Sequence, residues 1–496
     1  MAAALGSDTL AWPLVRAISI TVDSSVVADI TVHRSTDEKA ATLFYAFQPG
    51  RSNLVPVLSH SFVDGAARFS FATPREGFRL ELGSTRRHRP TLQLVLSLPD
   101  SVATGLDLVI DAKVHLGQLE ISPLVGQLGN VSVSFTHANP TTGIVIMTDS
   151  SALIVRQLAA QSLRLASDWM DIVIGQITVA GPAQILTTSG DIKMDAVSAS
   201  SQLEIHSDTG NISASSLSSG DVLGVRSSSG TVKVSSVQAA SFNVAADAGD
   251  AKFEQIRAIS AVLSSSSGNI KAGTLETQML LDVKAITGSI RLDCVGAAAA
   301  HFSTHSTNID INTLIASGTV TARAVGGDIS IRDMSVHSVD LESNSGNVKI
   351  RAGVINKARA VSSSGNVKVE LNFVGSDPAA ECLAILGASS GDVKSSVVGY
   401  MQLDSRTDSG DNKLDVNPLP GSQTFAKSGT GNTKLDVAAG FGGTFTAQGD
   451  RVRIRGRAAV VTQESDHRKS GHVEPVGKTA SVITVAADSG DVTIAF

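Results

Sequence analysis

Aromatic and sulfur-bearing side chains are scarce in this chain. Phe, Trp and Tyr make up 4% of its 496 residues, and Trp12 and Trp169 are the two tryptophans. Cys294 and Cys382 are the two cysteines, each inside an apolar run (RLDCVG, ECLAIL). Two distant cysteines make no disulfide framework, so packing must hold the fold, and both read as small buried hydrophobes. A strong excess of one charge is also lacking: the formal net charge of −6 is mild, which argues neither for a nucleic-acid-binding protein nor for an acidic disordered tail. No apolar run approaches the ~18 residues that cross a membrane as a helix. The first residues, MAAALGSDTLAWPLVRAIS, have no basic segment, a broken apolar stretch and no small-residue cleavage site. They read as a poor signal peptide, which leaves the cytoplasm as the default compartment.

Ser, Gly, Val and Ala are abundant instead, and they recur in order. Taking the Gly before Asn, Asp or a small polar residue as a marker gives Gly190, Gly210, Gly230, Gly249, Gly268, Gly288, Gly327, Gly346 and Gly365. The steps are 19 or 20 residues, apart from one double step in which Thr307 takes the Gly place before Asn308. After an insertion the series resumes as Gly391, Gly410, Gly431 and Gly449 and closes at Gly490. A period held this long is the signature of a solenoid. In VSSSGNVKVEL (361–371), Gly365 and Asn366 read as a turn, with Gly supplying φ > 0. Val367, Val369 and Leu371 alternate with Lys368 and Glu370, the period-2 pattern of a half-buried strand. A second alternating piece precedes each turn, so a rung reads as two short strands, and no stretch shows sustained 3.6-residue periodicity. Stacked rungs would form parallel sheets around a continuous core. The expected fold is all-β: a single-stranded parallel β-solenoid of about 20-residue rungs over 101–496.

The ends break the period. Residues 1–100 lack the marker but stay strand-like, as in RAISITVDSSVVADITVHRS and TLQLVLSLP, and read as a β-rich cap for the first rung. The polar segment 461–480 reads as an exposed loop inserted in the last rung. The strand DVTIAF then reads as an uncapped edge open to end-to-end self-association.

These residues resemble the putative adhesin family, a β-helical adhesin-like domain of unknown function. Its members alternate Ser-Gly-(Asp/Asn) turns with Val-x-Val strands, and TLQLVLSLPDS (91–101) is similar to the element that opens their array. The resemblance covers roughly residues 90–496. It implies a surface-associated, adhesin-like or scaffolding role, a cell-surface or extracellular location and no established catalytic residues.

The most informative chemistry is a row. Three residues after the marker Gly stand Lys193, Lys233, Lys252, Lys271, Arg291, Lys349, Lys368, Lys394, Lys413 and Lys434, interrupted at Ser213, Asp310 and Ser330. Stacking would turn them into a cationic ladder able to hold an extended polyanion, such as an acidic polysaccharide, a nucleic acid or a lipid surface. The bland reading is a solvated face that prevents sheets from pairing, partly neutralised by Asp191, Asp250, Asp392 and Asp411. The Asp/Asn row supplies too few hard ligands for Ca²⁺ and reads as turn caps. His301 and His305, four apart on a strand, are about 13 Å apart and cannot share a zinc; His467 and His472 have no cysteine beside them. No metal or cofactor is expected. For a β-helix carbohydrate-active enzyme the best cluster is Asp310 with Asp328 and Arg332, and no nucleophile elbow, phosphate loop or dinucleotide fingerprint occurs. The sequons at Asn130 and Asn211 fall at the turn-to-strand place of the repeat, where chance explains them. A non-enzymatic binding or structural rod is the leading expectation, ahead of a cytoplasmic self-assembling scaffold and of an enzyme.

Overall fold

The computed structural model describes residues 162–496 except 170, 374–381, 457–458, 466 and 475–479; before residue 162 it describes the strands between Ala3 and Ala160 as backbone, and Val155. The chain divides into two compact units, Met1–Glu254 and Gln255–Phe496. The described residues contain no helix, and hence none long and apolar enough to cross a membrane. Both units are built as a parallel β-solenoid with the spacing the sequence predicts.

One rung of the second unit shows how the pattern makes the shape. Ile329–Ser343 is a continuous strand of 15 residues. Ile329 and Ile331 point inward, then Arg332 and Asp333 both point outward. Met334 and Val336 point inward, His337 and Ser338 outward, and Val339, Leu341 and Ser343 inward again. Two successive outward residues break the period of 2, and each break turns a corner. The rung therefore has three faces rather than the two strands that alternation alone suggests. The first doublet hides inside what reads as a single strand.

Rungs stack in register, so the core consists of columns. Ile329 lies opposite Val348, Ile331 opposite Ile350, Val336 opposite Ile355 and Leu341 opposite Ala360. In the first unit Ile192, Ile212 and Val232 form one such column, and Leu203, Leu223 and Phe242 another. All of these side chains are buried, and each large one contributes roughly 1.5–3 kcal/mol by leaving water. Volume is balanced between rungs. Gly353 lies opposite Met334 and Leu371, and a Cβ there would press on Met334 Cε and Leu371 Cδ2 at 3.1 and 3.0 Å. Among the described residues the buried polar side chains are Ser, Thr and Asn412, and none is charged.

The turns are held by three stacked devices. The marker glycines are needed for closeness, not for positive φ. A Cβ on Gly210 would overlap the carbonyl of Gly190, and one on Gly365 the carbonyl of Gly346; of the marker glycines with φ in the left-handed range there is only Gly490, among the described residues. Beside them runs an Asp/Asn ladder. Asp191 donates its amide N–H to Asp171 Oδ1 at 2.9 Å, Asn211 to Asp191 at 2.9 Å, Asn366 to Asn347 at 2.9 Å, and Asp411 to Asp392 at 2.8 Å. These side chains cap the next rung's backbone rather than their own, which is the structural role expected for the row. The third device is the Ser or Thr three places before the Gly. Ser362 Oγ donates to the Gly346 carbonyl at 2.7 Å and accepts the Gly365 N–H at 2.8 Å. Ser207, Ser227 and Ser343 do the same for their rungs, each fully buried.

At the far end of the second unit, stacking order departs from chain order. Ser481–Ala487 pairs in parallel with Gln423–Ser428 on one side and with Gly443–Gln448 on the other. Asp491–Ala495 likewise lies between Thr433–Val437 and Arg451–Arg455. The strand expected to offer a free edge is thus paired on both sides, because the chain returns to fill a slot it had left one rung wide. The polar segment, where described, is strand rather than loop. Ala459–Glu464 and Arg468–Val473 form an antiparallel hairpin, and the latter strand covers Gly443–Gln448. In the first unit, Ala17–Val22 pairs in parallel with Asp107–Ala112, and Val27–Arg34 with Gln118–Ser122, while Ala40–Gln48 is antiparallel to both Ala3–Ala11 and Thr91–Leu98.

Candidate interaction surface

The residue after the first core position of each rung points outward, and register decides which of these side chains adjoin. In the first unit Val173, Lys193, Ser213 and Lys233 succeed one another, and Lys252 holds the same place in its rung. These cations are largely spoken for. Lys193 Nζ lies 2.9 Å from Asp171 and 3.5 Å from Asp191, and Lys252 lies 2.8 Å from Asp250. The hydrogen bond to Asp171, with that carboxylate's charge, holds the Lys193 ammonium above its ordinary range. Burial pushes Asp171 up, but the Lys193 hydrogen bond, the Asp191 amide and the Lys193 charge bring it below the usual value. An open groove of ≈ 680 Å³ borders this stretch, with Lys193, Asp195, Ser213 and Lys233 on its wall.

The second unit differs. Lys271 and Arg291 adjoin, and Arg291 reaches Asp310 at 3.8 Å. Asp310 and Ser330 then interrupt the row. After them Lys349, Lys368, Lys394, Lys413 and Lys434 occupy five consecutive rungs in direct register. Thr493 follows, and then Arg453. Lys434 reaches Asp436 at 2.6 Å. Lys349, Lys368, Lys394 and Lys413 make no ion pair among the described residues. Counting from the Gly misses Arg453 twice over: the turn at Gly449 has one extra residue, and the interleaved strand alters which rung is next. The flanking Asp392 and Asp411 each receive a backbone N–H from the following rung at 2.8 Å.

The other candidate residues are not brought together. Asp328 Oδ1 accepts the N–H of Asn347 at 2.7 Å and its Nδ2 at 3.1 Å, a turn role. Asp310 faces Arg291, and Arg332 forms an ion pair with neither carboxylate among the described residues. His301 hydrogen-bonds Thr321 in the next rung. Asn211 uses its amide within the turn ladder, donating to Asp191 at 3.1 Å; Asn130 lies where only strand backbone is described. Cys382 is buried, which pushes its thiol up, and Cys294 is half-buried. Sequence inspection passes over Asn412, which takes a core position. Its Oδ1 accepts from Ser405 Oγ at 2.9 Å and its Nδ2 donates to the Ser405 carbonyl at 3.0 Å. The isolated Asn between β-branched residues of one column (Val393, Asn412, Thr433) is the outward sign of it.

Fold and surface together define a parallel β-solenoid repeat protein whose turn residues are structural and whose outward residues recur in columns. The family described as Toastrack DUF4097 matches residues 200–300 and 299–495, more than half of the chain, and the chain belongs to that family. No curated protein matches it. A solved structure described as "a putative cell adhesion protein" from Clostridium sporogenes aligns over 99% of this chain and 98% of that one, at 6% identity and a TM-score of 0.13. A likeness that slight carries no structural argument.

Proposed function

We propose that the chain is a non-enzymatic, adhesin-like repeat protein that offers one repeated outer surface to its partner and holds it through many weak, equivalent contacts. The observation that carries this reading is register: the same outward chemistry recurs in neighbouring rungs, with five lysines in succession. Equivalent contacts on a rigid support gain affinity through effective concentration, without any single strong site. Such a surface suits polymers and cell surfaces better than small molecules. Membership of the Toastrack family agrees with a repeat protein of this kind.

The rival readings have less behind them. The scaffold rested on a free edge at Asp491–Ala495, and that strand is paired on both sides. The enzyme rested on Asp310, Asp328 and Arg332, whose carboxylates are engaged elsewhere. Protease treatment of intact native cells carrying an epitope-tagged chain tests the proposal. Loss of the tag without lysis is expected; a tag protected until the cells are opened would overturn the adhesin-like role.

A further inference from the structure

We infer that the column Lys349, Lys368, Lys394, Lys413 and Lys434 is a binding track for an unbranched acidic polysaccharide carrying one carboxylate per sugar. The inference deepens the adhesin-like reading by naming the partner class.

The column is not something the fold requires. Like charges directly opposite one another in a sheet are destabilising, yet here five stand in succession. The same place elsewhere accepts Val173, Ser213, Ser330 and Thr493, so a neutral side chain fits the architecture equally well. Lysine often protects an exposed strand edge. That explanation fails here, since each of these strands is hydrogen-bonded on both sides. Nor are the charges absorbed locally: the first four have no ion pair among the described residues, whereas Lys193 and Lys252 in the first unit do.

Spacing and surroundings select the polymer. Neighbouring rungs lie ~4.8 Å apart, so the track offers one cation per rung along a single line. Duplex nucleic acid carries about one charge per 1.7 Å of its axis, a far denser array. Single strands are usually held by aromatic platforms on which bases stack. Phe373 and Tyr400 in these rungs are buried in the core, and the half-buried Phe425 has its ring occupied by the Arg406 guanidinium, 4.9 Å from the centroid. The flanks instead carry hydroxyl, amide and carboxylate groups, such as Ser396, Asn366 and Asp415, which can hydrogen-bond sugar hydroxyls. Asp392 and Asp411 each use Oδ1 to hold a backbone N–H of the following rung. A polymer with a ring-sized repeat and one acid per ring matches this arrangement.

The test uses the full chain and polygalacturonate, with dextran and oligo-dT as comparison polymers. Three forms are compared: the parent, a column variant (K349Q, K368Q, K394Q, K413Q), and a variant that loses equal charge off the column (R257Q, K284Q, R323Q, K427Q). Circular dichroism melting of each ensures that all are folded, as exposed Lys→Gln changes in a column that already tolerates Ser should leave them. Parent binding to polygalacturonate is expected to weaken roughly 10²-fold between 50 and 200 mM salt, as release of about four counterions implies. The column variant is expected to lose that binding and the off-column variant to keep it, with dextran unbound throughout. No binding by the parent, or equal loss in both variants, would overturn the inference. Tighter lysine-dependent binding of oligo-dT would overturn the choice of polysaccharide. The protease test on intact cells is independent of all three results, so failure here leaves the adhesin-like reading to be judged on its own.

Discussion

Asp491 donates its backbone N–H to Asn432 Oδ1 at 3.0 Å, across 59 residues of sequence. Elsewhere along the same ladder the partner is one rung back, as for Asn211 and Asp191, 20 residues apart. The long span records the return of the chain into a slot between two rungs made earlier. Phe496 completes the fit, its ring centroid 5.5 Å from that of Phe441 and 5.2 Å from that of Phe445.

Removing residues 481–496 should therefore do more than trim an end. Gly443–Gln448 and Arg451–Arg455 lose the strands they stack on, and Ile483, Val485, Val492 and Ile494 leave the core. Hydrogen exchange is expected to show amides of 443–455 losing protection while those of Val348–Ser362 keep theirs. If stacking followed chain order, 443–455 would rest on 423–437 and remain protected.

The turn devices differ in how much substitution they tolerate. Ser362→Ala leaves a buried Gly346 carbonyl and Gly365 N–H without their partner, a loss of about 1–3 kcal/mol. Other rungs place Ala at the equivalent position, as at Ala324 and Ala388, so the lower end is expected. Gly365→Ala must push two backbones apart, costing about 1–3 kcal/mol or more. Urea denaturation should order the midpoints parent, Ser362→Ala, Gly365→Ala; a Gly365→Ala midpoint equal to the parent's would contradict the overlap at Gly346.

Much of this was legible in the residues. The period of 19 or 20 and the Val-Lys-Val alternation specify parallel stacking, because a rung has no other way to bury Val367 and Val369. The lysine column follows from that register. Three things escaped because they depend on what lies across the rung rather than along it. Gly365 looks like a φ > 0 turn residue until the Gly346 carbonyl is seen beneath it. Ser362 looks like one of three interchangeable serines until one of them is found buried. Gly431, Gly449 and Gly490 look like consecutive rungs, but Gly490 stacks on Gly431, and Gly449 on Gly490.

The two thiols should separate cleanly. Cys382 is 1% exposed and burial raises its thiol above the usual range, whereas Cys294 is half-buried. An aromatic disulfide reagent is expected to modify Cys294 in the native chain and Cys382 only after denaturation. Equal native rates would show that the rung holding Cys382 opens readily.

Acid should release the Asp171–Lys193 pair. A carboxylate held below its ordinary 3.8 adds stability above that value, which is lost as pH falls through the lower folded value. Lys193, held above 10.5, adds stability below that value and loses it as pH rises through its own folded value. Both side chains are about half exposed, so the contribution is small and screened by salt. Asp171→Asn should therefore destabilise slightly at neutral pH, and the difference should vanish once the carboxyl protonates. A difference that persists in acid would mean that the Asp191 amide bond, not the charge, carries it.

The claim that many equivalent contacts do the work is tested most directly by a graded series. Lys349, Lys368, Lys394, Lys413 and Lys434 are changed to Gln one at a time and then cumulatively, and affinity for polygalacturonate is measured at fixed salt. Equivalent contacts predict similar small losses for each single change and a steady fall in log affinity with each lysine removed, whatever the order. One substitution that abolishes binding while the other four leave it intact would contradict the account.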